Sequence, residues 1–271
     1  MVVLKCKDKS KLKLLERYGL RKVATRNEYE EVRYSGNGTV ILYKTGKVVV
    51  QGRGSQVAQL EAMLIKSGAI NACQFVDVDQ TIIGTDEALK GDTFGGLVVA
   101  GVRANKKQRQ LLLKLGVRDS KLLHAKQVSG LFKAILKSVP WAKVELAPEE
   151  YNASVAEQGI TEVLNKLHME CYEQLKQDGE VHVVDKFPGC RVGNVVIPHA
   201  ESEFVEVAAA SIIARYFAIK QIKQLSKEAG FELPMGSTHV GSALRTLKEK
   251  GMELRRFAKI GFRNVGVTKD L

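Results

Sequence analysis

Apolar and polar positions follow two different patterns along the chain, and the change lies near residue 80. In the first part, two short apolar stretches flank a glycine-marked turn at Thr45 and Gly46, which is typical of an antiparallel strand meander. Patterns of helical period lie on either side of that meander, over residues 8–18 and 55–67. The first 70 residues are therefore predicted to form a small α+β module, and residues 71–80 a linker.

After residue 80, apolar runs of strand length alternate with longer helical patterns, as in a layered α/β domain. The apolar runs cover residues 81–84, 95–102, 143–146 and 181–184. The helical patterns cover residues 105–116, 124–138, 159–177 and 203–229. Only about ten residues separate the first two runs, too few for a crossover helix, so these runs should pair antiparallel. The later runs can join in parallel through helices, which predicts a mixed sheet.

The composition is that of a globular protein, with 271 residues, 45% of them hydrophobic and 27% charged. No run of about 18 apolar residues is present and the first residues do not form a secretory signal, so we expect a cytoplasmic protein without membrane attachment. The four cysteines show no C-x-x-C spacing and the five histidines no H-E-x-x-H motif. Neither a disulfide framework nor a metal site built on histidine or cysteine is predicted.

The net charge is +12, and it is denser at the start of the chain. Residues 1–78 contain 14 Lys and Arg against 7 Asp and Glu. A basic surface gains affinity for polyanions because binding to phosphates releases condensed counterions. The charge therefore favours a nucleic-acid partner, although a merely soluble basic surface would have the same composition.

Four acidic residues occupy positions where carboxylates could converge. Asp86 and Glu87 lie between the first two apolar runs, and adjacent residues of a regular strand point to opposite faces, so the strand should end or turn here. Asp185 follows a short apolar strand, where ligand sites of α/β sheets are common. Glu201 stands just before a long helix whose small apolar face suits close packing on a sheet. A solvated loop, a turn residue and a helix-dipole partner are the ordinary explanations for these acids.

Taken together, such carboxylates could hold one or two hard divalent ions, and a two-metal site can cleave a phosphodiester. Combined with the basic charge, they suggest a nuclease.

Six stretches of the second part, in order, resemble the type 2 ribonuclease H superfamily and most closely ribonuclease HIII. They are GTDEALKGDTFGGLVVAGV, LGVRDSKLL, VVDKF, HAESEFVEVAAASIIARY, LPMGSTHVGSAL and FAKIGFRNV. The N-terminal stretch LYKTGKVVVQG resembles the TATA-binding-protein-like domain of ribonuclease HIII. The resemblance implies an α/β fold, with a ribonuclease H-like mixed β-sheet flanked by helices at 81–271 and a small α+β TATA-binding-protein-like domain at 1–70.

The activity implied by this resemblance is endonucleolytic cleavage of the RNA strand in RNA/DNA hybrids with Mg²⁺ or Mn²⁺, leaving 5′-phosphate and 3′-hydroxyl ends. The metal-binding acids of the family correspond to Asp86, Glu87, Asp185 and Glu201. Asp86 and Asp185 would share the ions, while Glu87 and Glu201 would complete the ligand shell and place the attacking water.

Substrate contacts are also implied by the resemblance. Selection of RNA requires contact with the 2′-hydroxyl, and the family uses a G-x-G turn for it. Here the stretch is ALKG, in which Leu89 replaces one glycine before Lys90 and Gly91. Either Lys90 and Gly91 still supply those contacts, or the recognition of ribose has moved.

Other residues that the resemblance places near the substrate are Ser120 and Lys121, at the backbone phosphates, and Ser237 and Thr238, close to the site. Each pair precedes a predicted helix. Capping of the first helix by Asp119 or Ser120, and of the second by Ser237 or Thr238, is therefore an alternative role.

In the N-terminal module, Lys44, Lys47 and Arg53 would bind the duplex backbone. Tyr43 belongs more naturally to the core than to a base-stacking surface. A monomer is expected, because the pattern leaves no second large apolar face unexplained.

Two further classes of function remain open at the level of sequence. A hybrid-binding protein that has lost catalysis would account for the altered ALKG turn, but all four acids are present; a cleavage assay distinguishes it. A metal-dependent phosphohydrolase for small substrates would lack the steep salt dependence of duplex binding.

Overall fold

The computed structural model describes residues 2–70, 78–117, 123 and 125–266. The chain forms two compact units, Met1–Gln74 and Phe75–Leu271. Among the described helices, none is both long and apolar enough to cross a membrane.

The first unit is a five-stranded antiparallel sheet with helices against it. The strands are β1 (Val2–Lys5), β2 (Arg21–Val23), β3 (Glu30–Gly36), β4 (Gly38–Tyr43) and β5 (Lys47–Gln51), in the order β1-β5-β4-β3-β2. The predicted meander corresponds to β4 and β5, which pair with Val40 opposite Val50. Helix α1 (Gly54–Ser67) contacts β4, β5 and a 3₁₀ helix (Lys9–Tyr18).

Both predicted helices of this unit are present, and the first takes the 3₁₀ form. The Asp8 side chain accepts a hydrogen bond from the Ser10 N–H and caps its start. Gly19 ends it with a φ of 83°, a left-handed conformation that glycine adopts without steric cost. The helix buries Leu12 and Leu15.

A mixed five-stranded sheet forms the centre of the second unit. Its strands are β6 (Ile82–Ala88), β7 (Leu97–Ala104), β8 (Trp141–Leu146), β9 (Val181–Asp185) and β10 (Val195–Ile197), in the order β10-β9-β6-β7-β8. The predicted antiparallel pairing of β6 with β7 and the parallel entry of β9 beside β6 are confirmed. The expectation that the run at 143–146 joins the sheet in parallel is wrong, because this run forms β8, which pairs antiparallel with β7. Strand β10 was not predicted.

Helices cover both faces of this sheet. They are α2 (Lys106–Lys114), α3 (Ala125–Leu136), α4 (Pro148–Leu175), α5 (Val205–Ala229), α6 (Gly241–Glu249) and α7 (Arg263–Gly266). Helix α4 begins 11 residues before its predicted start at 159. Gly159 has φ 80° and ψ 156°, so the predicted start coincides with a kink inside the helix.

Alternate residues of the strands contact different helices. On β7, Val98, Ala100 and Val102 pack in one core with α5 and α3. Leu97 and Val99 point the other way and pack with α4. The small residues of α5 allow very close approach to β6, since a Cβ placed on Gly84 would lie 2.4 Å from the backbone nitrogen of Val207. The predicted packing of the small apolar face of α5 on the sheet is therefore confirmed.

A buried ion pair ties α2 to α5. Arg109 Nε donates to Glu206 Oε1 at 2.7 Å, and both side chains are almost fully buried. The same guanidinium donates to the carbonyl oxygens of Val78 and Gln80, which lead into β6. A buried charge is tolerated only when it is paired in this way, and here the pairing fixes the entry of the chain into β6.

Candidate active site

Two of the predicted acids lie side by side at the carboxyl ends of neighbouring parallel strands. The register pairs Thr85 of β6 with Val184 of β9, so Asp86 and Asp185 are the next residues along each strand. They share one face of the sheet, because residues at matching register positions point the same way. The prediction that Asp185 ends its strand is confirmed.

Glu87 points to the opposite face. The expectation that the strand ends or turns at Asp86 and Glu87 is wrong: β6 continues to Ala88, and Glu87 pairs regularly with Val99 of β7. The Glu87 carboxylate accordingly contacts His168 of α4, whereas Asp86 is hydrogen-bonded to Ser211 of α5. A ladder of backbone hydrogen bonds through this position keeps the alternation regular.

These three acids nevertheless line one cleft at the end of β6. The cleft has a volume of about 300 Å³. Its lining consists of Asp86, Glu87, Ala88, Leu89, Lys90, Gly91, Asp92, Asp185, Ser211, Arg215, Ala218 and Met235. The strand end thus places carboxylates from both faces of the sheet on one opening.

Glu201 lies next to this group, in a 3₁₀ turn (Ala200–Ser202) just before α5. The turn is anchored to the neighbouring acid, since the Ala200 N–H donates to Asp185 Oδ1 at 3.0 Å. Glu201 is buried and is not among the described residues that line the cleft. Over the described part of the chain, no three His, Cys, Asp or Glu side chains are close enough together to hold a metal ion.

The electrostatics of the adjacent acids differ sharply. Burial raises the pKa of Asp86 well above its ordinary value, and the charges of Glu87 and Asp185 raise it further. Burial also acts to raise the pKa of Glu87, but the hydrogen bonds from His168 and Lys90, together with the charge of Lys90, outweigh it and lower this pKa to about 2. Crowded carboxylates repel one another, and a divalent cation would relieve that repulsion. Asp86 and Asp185 offer only carboxylate oxygens, which are the donor atoms that Mg²⁺ and Mn²⁺ prefer.

The turn after β6 supplies one direct contact to the acids. Lys90 Nζ forms an ion pair with Glu87 Oε1. Leu89, which stands where the family motif has a glycine, takes a left-handed φ of 69° and is buried. A leucine adopts this conformation only at a cost of roughly 1–2 kcal/mol, so the turn keeps a glycine-like backbone without the glycine. Gly91 is exposed at its end.

Ser237 and Thr238 lie on an exposed loop whose preceding residue is tied to the cleft. The Gly236 N–H donates to Asp92 Oδ1 at 2.6 Å. Helix α6 begins after Val240 with no side-chain cap, so the alternative role of these two residues as a helix cap is wrong. Ser120 and Lys121 lie outside the described residues.

Within the first unit, the three predicted phosphate contacts are all exposed but do not form one group. Lys44 and Lys47 flank the turn between β4 and β5, whereas Arg53 follows the other end of β5. The extended strand β5 (Lys47–Gln51) lies between them and is roughly 13 Å long, at about 3.3 Å per residue. Tyr43 is half-buried.

His168, Thr85 and His182 are functional candidates that the sequence did not reveal. They form a buried polar chain that begins at Glu87. The available signal was the position of His182 within the apolar run VHVV and of His168 on the helix face that carries Leu164 and Cys171, where a buried polar side chain needs a partner. Their partner is remote in sequence, so no local motif marks them.

Comparison with known proteins identifies the class to which this fold and site belong. The family model for ribonuclease HII matches residues 83–265. Ribonuclease HIII of Lactococcus lactis subsp. lactis is 30% identical over 97% of this chain and 96% of that relative. Ribonuclease HIII of Bacillus pumilus is 33% identical over 85% of this chain and 86% of the relative. The chain belongs to the ribonuclease HIII family, within the type 2 ribonucleases H.

A solved structure agrees with this conclusion. The crystal structure of Bst-RNase HIII in complex with Mn²⁺ superposes with a TM-score of 0.66 at 27% identity, covering 100% of this chain and 99% of that one. The α/β fold with a mixed sheet is thereby confirmed.

Proposed function

We propose that this ribonuclease H cleaves the RNA strand of RNA/DNA hybrids endonucleolytically, leaving 5′-phosphate and 3′-hydroxyl ends. The single observation that carries this proposal is the meeting of Asp86, Glu87 and Asp185 on one cleft at the carboxyl ends of β6 and β9. Family membership supports the class of reaction, and the net charge of +12 supports a polyanionic substrate.

Each acid has a role that follows from its position. Asp86 and Asp185, on the same face of adjacent strands, would hold the divalent ions between them. Glu87 would approach from the other face of β6, and Glu201 would act from beside Asp185. When bound, Mg²⁺ or Mn²⁺ would activate the attacking water and stabilise the departing oxygen.

For the substrate, the rim of the cleft offers contacts of two kinds. The backbone of the turn Leu89–Gly91 would meet ribose 2′-hydroxyls, and Lys90, Ser237 and Thr238 would meet the strand beside it. Lys121 and Ser120 are proposed as phosphate contacts by resemblance alone.

In the first unit, Lys44, Lys47 and Arg53 would bind the duplex backbone. Because Arg53 lies at the opposite end of β5 from the two lysines, we propose that the three residues contact phosphates at separate points of the duplex. The preferred substrate would contain a run of ribonucleotides rather than a single one, and the protein would act as a monomer.

The test is the variant Asp185→Asn on a uniform RNA/DNA hybrid with Mn²⁺. Cleavage should fall by at least about 10³-fold, because one of the two side-by-side carboxylates is lost, while hybrid affinity stays within a few-fold. The matched control is Asp178→Asn, an exposed acid in the loop before β9. Unchanged cleavage by Asp185→Asn would remove this residue from the mechanism. Hybrid binding without cleavage by the unmodified protein would instead favour a binding protein.

A further inference from the structure

A chain of buried polar groups runs from the cleft into the space between the sheet and α4. His168 Nε2 lies 3.2 Å from Glu87 Oε2, and His168 Nδ1 lies 2.8 Å from Thr85 Oγ1. Thr85 Oγ1 is also 3.0 Å from His182 Nε2. Thr85 and His168 are completely buried. Polar groups are costly to bury, and a set that is fully hydrogen-bonded specifies one arrangement.

The hydrogen bonds of this chain can all point in one direction. An ionised carboxylate only accepts hydrogen bonds, so His168 donates to Glu87 through its Nε2–H. A neutral His168 then accepts at Nδ1 from the hydroxyl of Thr85, and the oxygen of Thr85 accepts in turn from His182 Nε2–H. Thr85 therefore selects the tautomer of His168 that presents an N–H to Glu87.

Packing holds the two histidine rings in place. The ring of His182 stacks on Tyr172 at 4.6 Å with an interplanar angle of 11°, and the ring of His168 lies 5.2 Å from that of Phe187. Opposite Thr85 on β7 is Gly101, where an added Cβ would come within 3.3 Å of Thr85 Cγ2. The missing side chain at 101 leaves room for this network.

The other oxygen of Glu87 has a partner of a different kind. Lys90, which pairs with Oε1, sits on the turn with 40% of its side chain exposed, whereas the His168 side chain is 0% exposed. A flexible, solvated lysine can leave an ion pair at little cost. The His168 side chain cannot leave Glu87 in this way, because it is buried between its own helix α4, strand β6 and the ring of Phe187.

We propose that His168, oriented by Thr85, is a positioning residue that fixes Glu87 for a divalent ion, and that Lys90 is the partner that gives up Oε1 to that ion. This inference rests on the proposed function. Residues that orient metal ligands typically contribute 10–100-fold to metal affinity. A merely structural role for His168 predicts lower stability without that loss.

The experiment measures the dissociation constant for Mn²⁺ by electron paramagnetic resonance on the full chain. His168→Leu should bind Mn²⁺ at least 10-fold more weakly. His168→Gln, which keeps an N–H at the end of the side chain, should bind within about threefold of the unmodified protein. The control is Cys171→Ala, a completely buried position of the same helix with no contact to Glu87 among the described hydrogen bonds, and it should bind normally.

Kinetics on the hybrid add a second readout. Because His168 acts on an acid and not on the duplex, His168→Leu at limiting Mn²⁺ should lower kcat while KM for the hybrid stays within about twofold. Unchanged Mn²⁺ affinity in a folded His168→Leu protein, or a loss equal in His168→Leu and His168→Gln, would overturn the inference.

Thr85 offers an independent variant if His168→Leu does not fold. Thr85→Val keeps the branched shape and removes the hydroxyl that selects the tautomer, so Mn²⁺ binding should weaken several-fold. Thr85→Ser keeps the hydroxyl, so it should bind Mn²⁺ about as tightly as the unmodified protein. Equal affinity in the two Thr85 variants would overturn the role of this residue.

Failure of the proposed function would look different from failure of this inference. An unmodified protein that neither binds Mn²⁺ nor cleaves the hybrid would overturn both. An unmodified protein that does both, with His168 variants that bind Mn²⁺ equally well, would overturn the inference alone.

The role of Lys90 predicts an effect of opposite sign. Lys90→Gln removes the competitor for Oε1, so Mn²⁺ should bind at least about threefold more tightly while hybrid affinity falls. Lys186→Gln removes an exposed charge beside Asp185 and is the matched control for long-range electrostatics; it should tighten Mn²⁺ binding less. Weaker Mn²⁺ binding by Lys90→Gln, or an equal effect of both changes, would overturn this part.

Discussion

The two faces of β6 surround adjacent carboxylates with opposite environments. On the face under α5, Gly84 and Asp86 meet a helix of small and apolar side chains, which buries Asp86 close to Asp185. On the face under α4, Glu87 meets His168 and the polar chain behind it. Because β6 remains regular, Asp86 and Glu87 line one cleft but contact different helices and have different hydrogen-bond partners.

This difference shifts the pKa values of the two acids in opposite directions. The pKa of Asp86 is raised by burial and by like charges, and that of Glu87 is lowered to about 2 by His168 and Lys90 against the effect of burial. Pairs of acids whose environments push their pKa values apart are characteristic of catalytic sites. The α5 face contributes close packing, and the α4 face contributes hydrogen-bonded orientation.

The largest expected effect comes from adding one methyl group to each face. Gly84→Ala should cost about 3 kcal/mol or more of unfolding free energy, because the new Cβ would meet backbone atoms of Glu206 and Val207 at 2.4–2.6 Å. Gly101→Ala should cost about 1 kcal/mol, because its nearest neighbour is the Leu175 Cδ1 at 3.0 Å, the end of a side chain that can move.

Urea unfolding followed by tryptophan fluorescence measures both changes, since the only tryptophan, Trp141, lies in β8 of the same sheet. Equal costs for Gly84→Ala and Gly101→Ala would mean that α4 approaches the sheet as rigidly as α5 does.

Neutralising each acid in turn should give effects of opposite sign. With divalent ions removed by a chelator, Asp86→Asn should raise the unfolding free energy by about 1 kcal/mol, since it removes a buried charge repelled by its neighbours. Glu87→Gln should lower it by about 1 kcal/mol, since Lys90 loses its ionic partner and the hydrogen bond from His168 loses its charge.

The same urea titration reports both values. If Asp86→Asn and Glu87→Gln changed the unfolding free energy in the same direction, the surroundings of the two acids would not differ as described.

The small-residue face of α5 could be predicted because the residues that form it are consecutive in the sequence. A helix face of Val, Ala, Ser and Ile is small and apolar enough to pack closely on a sheet, and the observed contact of α5 with Gly84 agrees with it. The position of Asp185 was predictable for the same reason, since a short apolar run and the Pro188–Gly189 pair after it mark the strand end locally.

The α4 face was not predictable in this way. His168 is 81 residues from Glu87, and the part of α4 that precedes Gly159 was not recognised as helical from the sequence. The expectation that β6 turns at Asp86 assumed that both acids must share a face. A regular strand can bring both acids to the cleft because Glu87 has a partner, His168, on the other face of the sheet. Such a partner can be identified only once the positions of the helices relative to the sheet are known.

The smallest expected effect concerns Ser211, the hydrogen-bond partner of Asp86 on the α5 face. Ser211→Ala should change the Mn²⁺ dissociation constant by less than about threefold, under roughly 0.7 kcal/mol, far less than His168→Leu. The short side chain of Asp86 is already held by the Glu87 N–H, which donates to Asp86 Oδ1 at 2.8 Å. Glu87 has one more rotatable bond and depends on His168 for its orientation. A tenfold loss in Ser211→Ala would show instead that hydrogen bonding orients the acids on both faces, leaving packing as the only difference between them.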